Sequence, residues 1–157
     1  NYLFNLLGAY IDKELVNINN QGVKIKIIGN INKFPLNLKK KLFKAEKLTK
    51  KNKNIQLNLA LNYGAKEEII NAIKFLKRRS LSINKKNLEK NLYTKNIPDP
   101  EILIRTGNTH RLSDFLIWQS SYSEIFFEKK LWPDFKENDF NKILQKFKNI
   151  KRNFGGL

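Results

Sequence analysis

Ile102-Leu103-Ile104-Arg105-Thr106-Gly107-Asn108-Thr109-His110-Arg111-Leu112-Ser113 is where the fold class becomes readable. Three consecutive apolar residues, with no polar alternation, spell a short strand covered on both faces, the habit of parallel sheets. That strand runs into a glycine-bearing loop, and Ser113 is placed to cap a helix through Trp118. Upstream, Val23, Ile25 and Ile27 alternate as a strand closed by Gly29. Ile55, Leu57, Leu59 and Leu61 alternate as another, ending at Asn62-Tyr63-Gly64. Helical spacing separates them. Leu3, Leu6, Leu7, Tyr10, Leu15 and Ile18 open the chain, and Leu38, Leu42, Ala45 and Leu48 follow Pro35. Ile69, Ile70, Ile73 and Leu76 form a third stripe, then a lysine-rich helix covers Asn84 to Tyr93 before Pro98 and Pro100 break it. Ile125-Phe126-Phe127 reads as a last strand and Asn138 to Ile150 as a last helix. Strand and helix alternate throughout. The expectation is an α/β fold with a mainly parallel central sheet, flanking helices and right-handed crossovers. No repeat or linker divides residues 1–157, so one domain is expected, with an irregular tail or contact arm from Asn153 to Leu157.

The net charge of +17 would fit a polyanion partner. Its distribution argues otherwise. Of 31 basic residues only five are arginine, and the lysines travel with abundant Asn and Ile, as in a chain-wide compositional drift. The cationic runs at Lys39–Lys41, Lys50–Lys53 and Lys77–Arg79 read as solvated helix faces or ends. With no cysteine, disulfides and thiolate metal sites are excluded, and one histidine, His110, excludes a multi-histidine centre. No apolar run reaches the ~18 residues that span a bilayer. A soluble, cytoplasmic protein is expected. The chain has no methionine and starts inside an amphipathic pattern, which points to a longer native polypeptide.

Against that lysine background, Arg105 and Arg111 bracket one loop. Lysine supplies bare charge, whereas arginine is favoured where a planar fork must meet phosphate oxygens. Ligands of parallel sheets bind outside the carboxyl ends of strands, so Arg105 and Asn62-Tyr63-Gly64 are expected to share a crevice. A helix starting at Ser113 would add free N–H groups and its positive dipole end. With Glu124 downstream, the set suits a diphosphate carrying a divalent cation. His110 could assist the anion or be structural. Asp114 could be a second carboxylate for the metal or support the first helical turn. Trp118, Trp132, Phe126 and Phe127 read as core or interface.

The run from Ile104 to Gln119, then Tyr122-Ser123-Glu124, Leu131-Trp132-Pro133-Asp134-Phe135 and Phe154-Gly155-Gly156, closely resembles the cis-prenyltransferases, especially bacterial undecaprenyl diphosphate synthases. The likeness extends upstream through Gly22–Gly29 and Leu57–Gly64. The resemblance implies an isoprenyl transferase that joins isopentenyl diphosphate to an allylic diphosphate with cis geometry, works as a homodimer and uses Mg2+. It implies that Arg105, Arg111, Leu112 and Ser113 hold the isopentenyl diphosphate and that Glu124 is the magnesium ligand. Contact with membranes would be peripheral, through the lipid product. The family's N-terminal Asp-Gly-Asn-x-Arg-Trp block, with its catalytic aspartate, and its Glu-Asn-Trp-x-Arg-Pro loop are not in this sequence. The chain therefore reads as the C-terminal portion of a single transferase domain. Asn108-Thr109 stands where Gly-Glu is usual, and Asn153 where an arginine is common. Two alternatives stay open: a noncatalytic partner subunit of the same fold, and a basic nucleic-acid-binding domain.

Overall fold

Alternating Ile25 and Ile27, bounded by turns, form the first strand, β1 (Val23–Ile28), which pairs in parallel with β2 (Ile55–Ala60), Ile25 opposite Leu57. The structure, a computed structural model, describes residues 2–153. It divides into two compact units, Asn1–Thr94 and Lys95–Leu157. The fold class is the α/β class expected, with every strand pairing among the described residues parallel.

In the first unit, helices α1 (Tyr2–Asn20) and α2 (Leu36–Thr49) pack on this pair. Leu15, Ile25 and Ala45 are buried together, with Ile11, Ile18, Ile27 and Leu59 against them. Full burial of a leucine or isoleucine side chain such as Leu15 or Ile25 contributes about 1.5–3 kcal/mol. The edge of β1 away from β2 is closed by side chains. Thr49 Oγ1 accepts from Ile25 N at 3.0 Å, Glu46 Oε1 accepts from Ile27 N at 2.8 Å, and Asn52 Nδ2 donates to Val23 O at 2.9 Å. A strand edge otherwise exposes a row of unmet donors and acceptors.

Helix α3 (Ala65–Arg78) has Glu67 and Glu68 in its first turn and Lys77 and Arg78 in its last, matching the helix dipole. It buries Ala65, Glu68, Ala72 and Leu76, one side chain per turn. The helix expected from Asn84 to Tyr93 is shorter: α4 spans Lys85–Glu89, capped by Asn84 Oδ1 accepting from Asn87 N at 2.9 Å. The regular ladder breaks at Asn91, whose N–H donates to Leu88 O at 2.8 Å while its Nδ2 donates to Asn87 O at 2.8 Å, and further on the N–H of Tyr93 goes to buried Glu68, 2.6 Å away.

In the second unit, β3 (Ile102–Arg105) pairs in parallel with β4 (Glu124–Phe127), and α5 (Glu137–Lys148) follows a short 3-10 turn at Trp132–Asp134. Two expectations are corrected here. Only Leu103 of β3 is buried, Ile102 and Ile104 being half-buried. More importantly, no helix starts at Ser113. Ser113, Asp114 and Leu116 adopt φ of 49°, 61° and 45°, left-handed values that interrupt a right-handed helix, and the segment to Tyr122 is a series of turns. Trp132 is exposed and stacked on Phe135, with ring centroids 6.2 Å apart, so of the two readings, core or interface, it is not core. Asn153 belongs to no regular element, and Phe154-Gly155-Gly156 lie outside the described residues.

Candidate functional site

The loop after β3 is built on a continuation of the strand pairing. Glu128 N donates to Arg105 O at 2.7 Å, Asn108 N to Glu128 O at 3.0 Å and Gly107 N to Lys130 O at 2.7 Å. Gly107 sits at φ 90°, and Asn108 follows at 53°. A glycine meets the first value without the Cβ penalty, and Asn tolerates the second better than most residues. The chain thereby turns back, so that residues 109–113 return over the end of β3.

Arg105 anchors that return. Its Nε donates to Thr109 Oγ1 at 2.6 Å, and its Nη1 donates to Ser113 Oγ at 2.8 Å and to the carbonyl oxygen of Arg111. Ser113 therefore does not cap a helix. Its hydroxyl is an acceptor for a guanidinium, and the dipole contribution expected at this point is absent. Arg111 is exposed, and among the described residues its side chain has no hydrogen-bond or ion-pair partner. Leu112 is half-buried between them. So Arg105, Arg111, Leu112 and Ser113 come together in one loop. What assembles them is arginine hydrogen bonding rather than a helix terminus.

His110 lies with its ring 5.0 Å from that of Phe127, the residue paired with Arg105 across the strands. This contact gives it a structural explanation. Asp114 sits in the left-handed turn, where no first helical turn exists for it to support. Thr109, in sequence a departure from family usage, is the residue that completes this network. Its position four residues after Arg105 was the available signal.

Glu124 is held elsewhere on the same strand pair. It opens β4 opposite Ile102, with its N–H donating to Glu101 O at 2.9 Å, whereas Arg105 ends β3 opposite Phe127. Three strand residues separate the two levels, about 10 Å along the strands. Arg152 marks the Glu124 level, donating to Glu101 Oε1 at 2.6 Å and to Tyr122 O at 3.1 Å. Among the described residues no three His, Asp or Glu side chains gather into a metal cage. A Mg2+ that keeps most of its waters and rides on phosphate oxygens needs only one or two carboxylates. Glu124 offers one carboxylate at its level of the strand pair, with no cage of protein side chains around it among the described residues.

The first unit carries two further features. Asn62, at φ 48°, donates through Nδ2 to Asn30 O at 2.8 Å and accepts from Asn30 N at 3.2 Å through its carbonyl, tying together the loops at the carboxyl ends of β1 and β2. An apolar groove of about 530 Å³ runs between α1 and the strand pair, lined by Leu7, Tyr10, Ile11, Leu15, Leu57 and Leu59 among others. No helix among the described residues is long and apolar enough to cross a membrane.

Parallel α/β units with an arginine-built loop at a strand's carboxyl end define the frame. Comparison with known proteins supplies its lineage. The chain matches the prenyltransferase family described as undecaprenyl diphosphate synthase over residues 1–155, and it belongs to that family. It is 40% identical to an isoprenyl transferase of Clostridium tetani, covering 100% of this chain and 64% of that protein. It is also 40% identical to the farnesyl-diphosphate-specific ditrans,polycis-undecaprenyl-diphosphate synthase of Micrococcus luteus, with 100% and 66% covered. The crystal structure of an undecaprenyl diphosphate synthase from Campylobacter jejuni superimposes with a TM-score of 0.89 at 35% identity, over 99% of this chain and 74% of that one. The lavandulyl diphosphate synthase of Lavandula x intermedia, solved with dimethylallyl diphosphate, gives 0.91 at 28% identity, over 99% and 70%. The chain spans about two thirds of the length of the curated relatives it matches.

Proposed function

We propose that residues 1–157 are the C-terminal portion of a single cis-prenyltransferase domain that binds isopentenyl diphosphate through Arg105, Arg111, Leu112 and Ser113. The observation that carries this is the Arg105 guanidinium fixed to Ser113 Oγ at 2.8 Å beside the exposed Arg111, whose side chain has no partner among the described residues. Two guanidinium groups around one loop match the charge and geometry of a diphosphate. The reaction adds the isopentenyl unit to an allylic diphosphate with cis geometry. The allylic C–O bond breaks and diphosphate leaves, the isopentenyl double bond attacks the exposed carbon, and a proton is lost to restore the alkene. None of these steps needs acid chemistry from the loop. Its part is to hold the nucleophilic alkene in place, so the gain comes from orientation. Mg2+ supplies charge neutralisation on the departing diphosphate when bound. Glu124 would give it a carboxylate oxygen.

The groove beside α1 supports the same reading independently. Its mostly apolar lining suits a hydrocarbon chain, with Glu14, Asn17 and Gln21 as its polar members and no basic side chain to meet a diphosphate. We assign it to the growing prenyl product. A homodimer and a cytoplasmic location, with peripheral membrane contact through the product, complete the proposal.

Calorimetric titration of the chain with isopentenyl diphosphate tests the site. Arg105→Ala and Arg111→Ala should each weaken binding by roughly tenfold or more, as expected for charge-assisted hydrogen bonds. Unchanged affinity in both variants would remove the assignment.

A further inference from the structure

We infer that Thr109 is a positioning residue for this site: it takes the Nε–H of Arg105 and so fixes which edge of that guanidinium can meet an anion. The inference rests on the diphosphate-binding reading above. An arginine side chain offers five N–H donors in a rigid plane. Here Nε is committed to Thr109 Oγ1 at 2.6 Å, and Nη1 to Ser113 Oγ at 2.8 Å and to the Arg111 carbonyl oxygen. Among the described residues, only Nη2 is left with uncommitted hydrogens. Neither of the two-nitrogen forks through which arginine usually grips a phosphate is free on Arg105.

Two consequences follow for how the loop works. Arg105 meets its anion end-on, through one nitrogen, and the bidentate grip falls to Arg111, whose side chain is exposed and unpartnered among the described residues. The three acceptors that fix Arg105 are also all neutral: two hydroxyls and a carbonyl. Among the described residues the guanidinium is immobilised without an ion pair to cancel its charge, so the rotamer entropy is spent before the ligand arrives while the attraction remains. Thr109 is the acceptor that sets the rotation of the plane. Ser113 and Arg111 take hydrogens from the same terminal nitrogen, so among the described residues Thr109 alone holds the Nε edge.

The test is calorimetric titration of the full chain with inorganic pyrophosphate, which carries the charge and none of the hydrocarbon. Thr109→Val keeps the shape and removes the acceptor. It should weaken binding about fivefold to tenfold, the size expected for one lost hydrogen bond to a charged group. Thr109→Ser restores the acceptor and should bind within about twofold of the parent, since the same bond is available. In an Arg105→Ala background, Thr109→Val should cost nothing further, because its effect travels through Arg105. Parent-like binding by Thr109→Val overturns the inference. So does an equal loss with and without Arg105, which would mean that Thr109 merely folds the loop. No pyrophosphate binding by the parent chain would instead overturn the diphosphate-site reading on which the inference stands.

Discussion

Glu68 carries its carboxylate at 1% exposure with both oxygens committed, Oε2 to the hydroxyl of Tyr63 and Oε1 to the backbone N–H of Tyr93, each at 2.6 Å. Removing the acceptors while the donors stay buried is costlier than never having made the bonds. Glu68→Ala should therefore lower the unfolding free energy by roughly 2–4 kcal/mol, measured by urea titration. A loss below about 0.5 kcal/mol, the range of an ordinary surface change, would show that water reaches both donors. Asp139 is a contrasting case near the surface. The hydrogen bond from Lys130, with the N–H of Lys136 behind it, holds its carboxyl below the ordinary range. The folded state thus prefers the ionised form. That preference is fully present above the unfolded value of 3.8 and is lost as pH falls through the lowered folded one. Asp139→Asn should melt at a lower temperature than the parent at pH 7, and the gap should close below pH 3.8. A gap that is constant with pH would assign the effect to shape rather than charge.

At the scale of elements, α2 does more than cover β1: Thr49 and Glu46 reach the strand's free N–H groups. Thr49 is fully buried, and its hydroxyl also donates to Ala45 O at 2.8 Å. Thr49→Val keeps the volume but leaves the Ile25 N–H without a partner, at a cost of about 1–3 kcal/mol. Faster amide hydrogen exchange at Ile25, with Leu57 unchanged, is the expected signature, and equal exchange at both would contradict it. The same element shows what the sequence could and could not disclose. The apolar stripe of α2 and the alternation in β1 were legible, because burial leaves a period that a sequence retains. That Thr49 and Glu46 face a strand edge was not, since a polar residue on a helix reads as solvated until its partner is located. The loop after β3 divides in the same way. Arg105, Arg111 and Ser113 were legible as residue types, and they do come together. The helix expected from Ser113 failed because a residue good at capping also makes good turns, and the Arg105 hydrogen bond settled which occurred. Glu124 was legible as a carboxylate, whereas its level on β4 required the strand register.

The whole chain has 31 basic and 14 acidic side chains, so any anion is drawn to it to some extent. Diffuse attraction and a built site differ in how they respond to salt and to single substitutions. Attraction to a spread of lysines weakens steeply with ionic strength and is indifferent to any one residue. A loop that fixes one guanidinium and presents another binds the folded state alone, and so stabilises it by linkage. With pyrophosphate at a hundredfold excess over its dissociation constant, the gain is about 2.7 kcal/mol, which for this length is roughly 5–10 °C in Tm. The parent chain should show that rise against a sodium chloride control of equal ionic strength, and Arg111→Ala should lose most of it. Loss of one charge from a surplus of +17 cannot produce such a difference through the general field. If Arg111→Ala instead keeps the full rise, the anion is being held by the lysine-rich surface. The basic-domain alternative then becomes the better account of the charge, and duplex DNA should compete with pyrophosphate in the same melt.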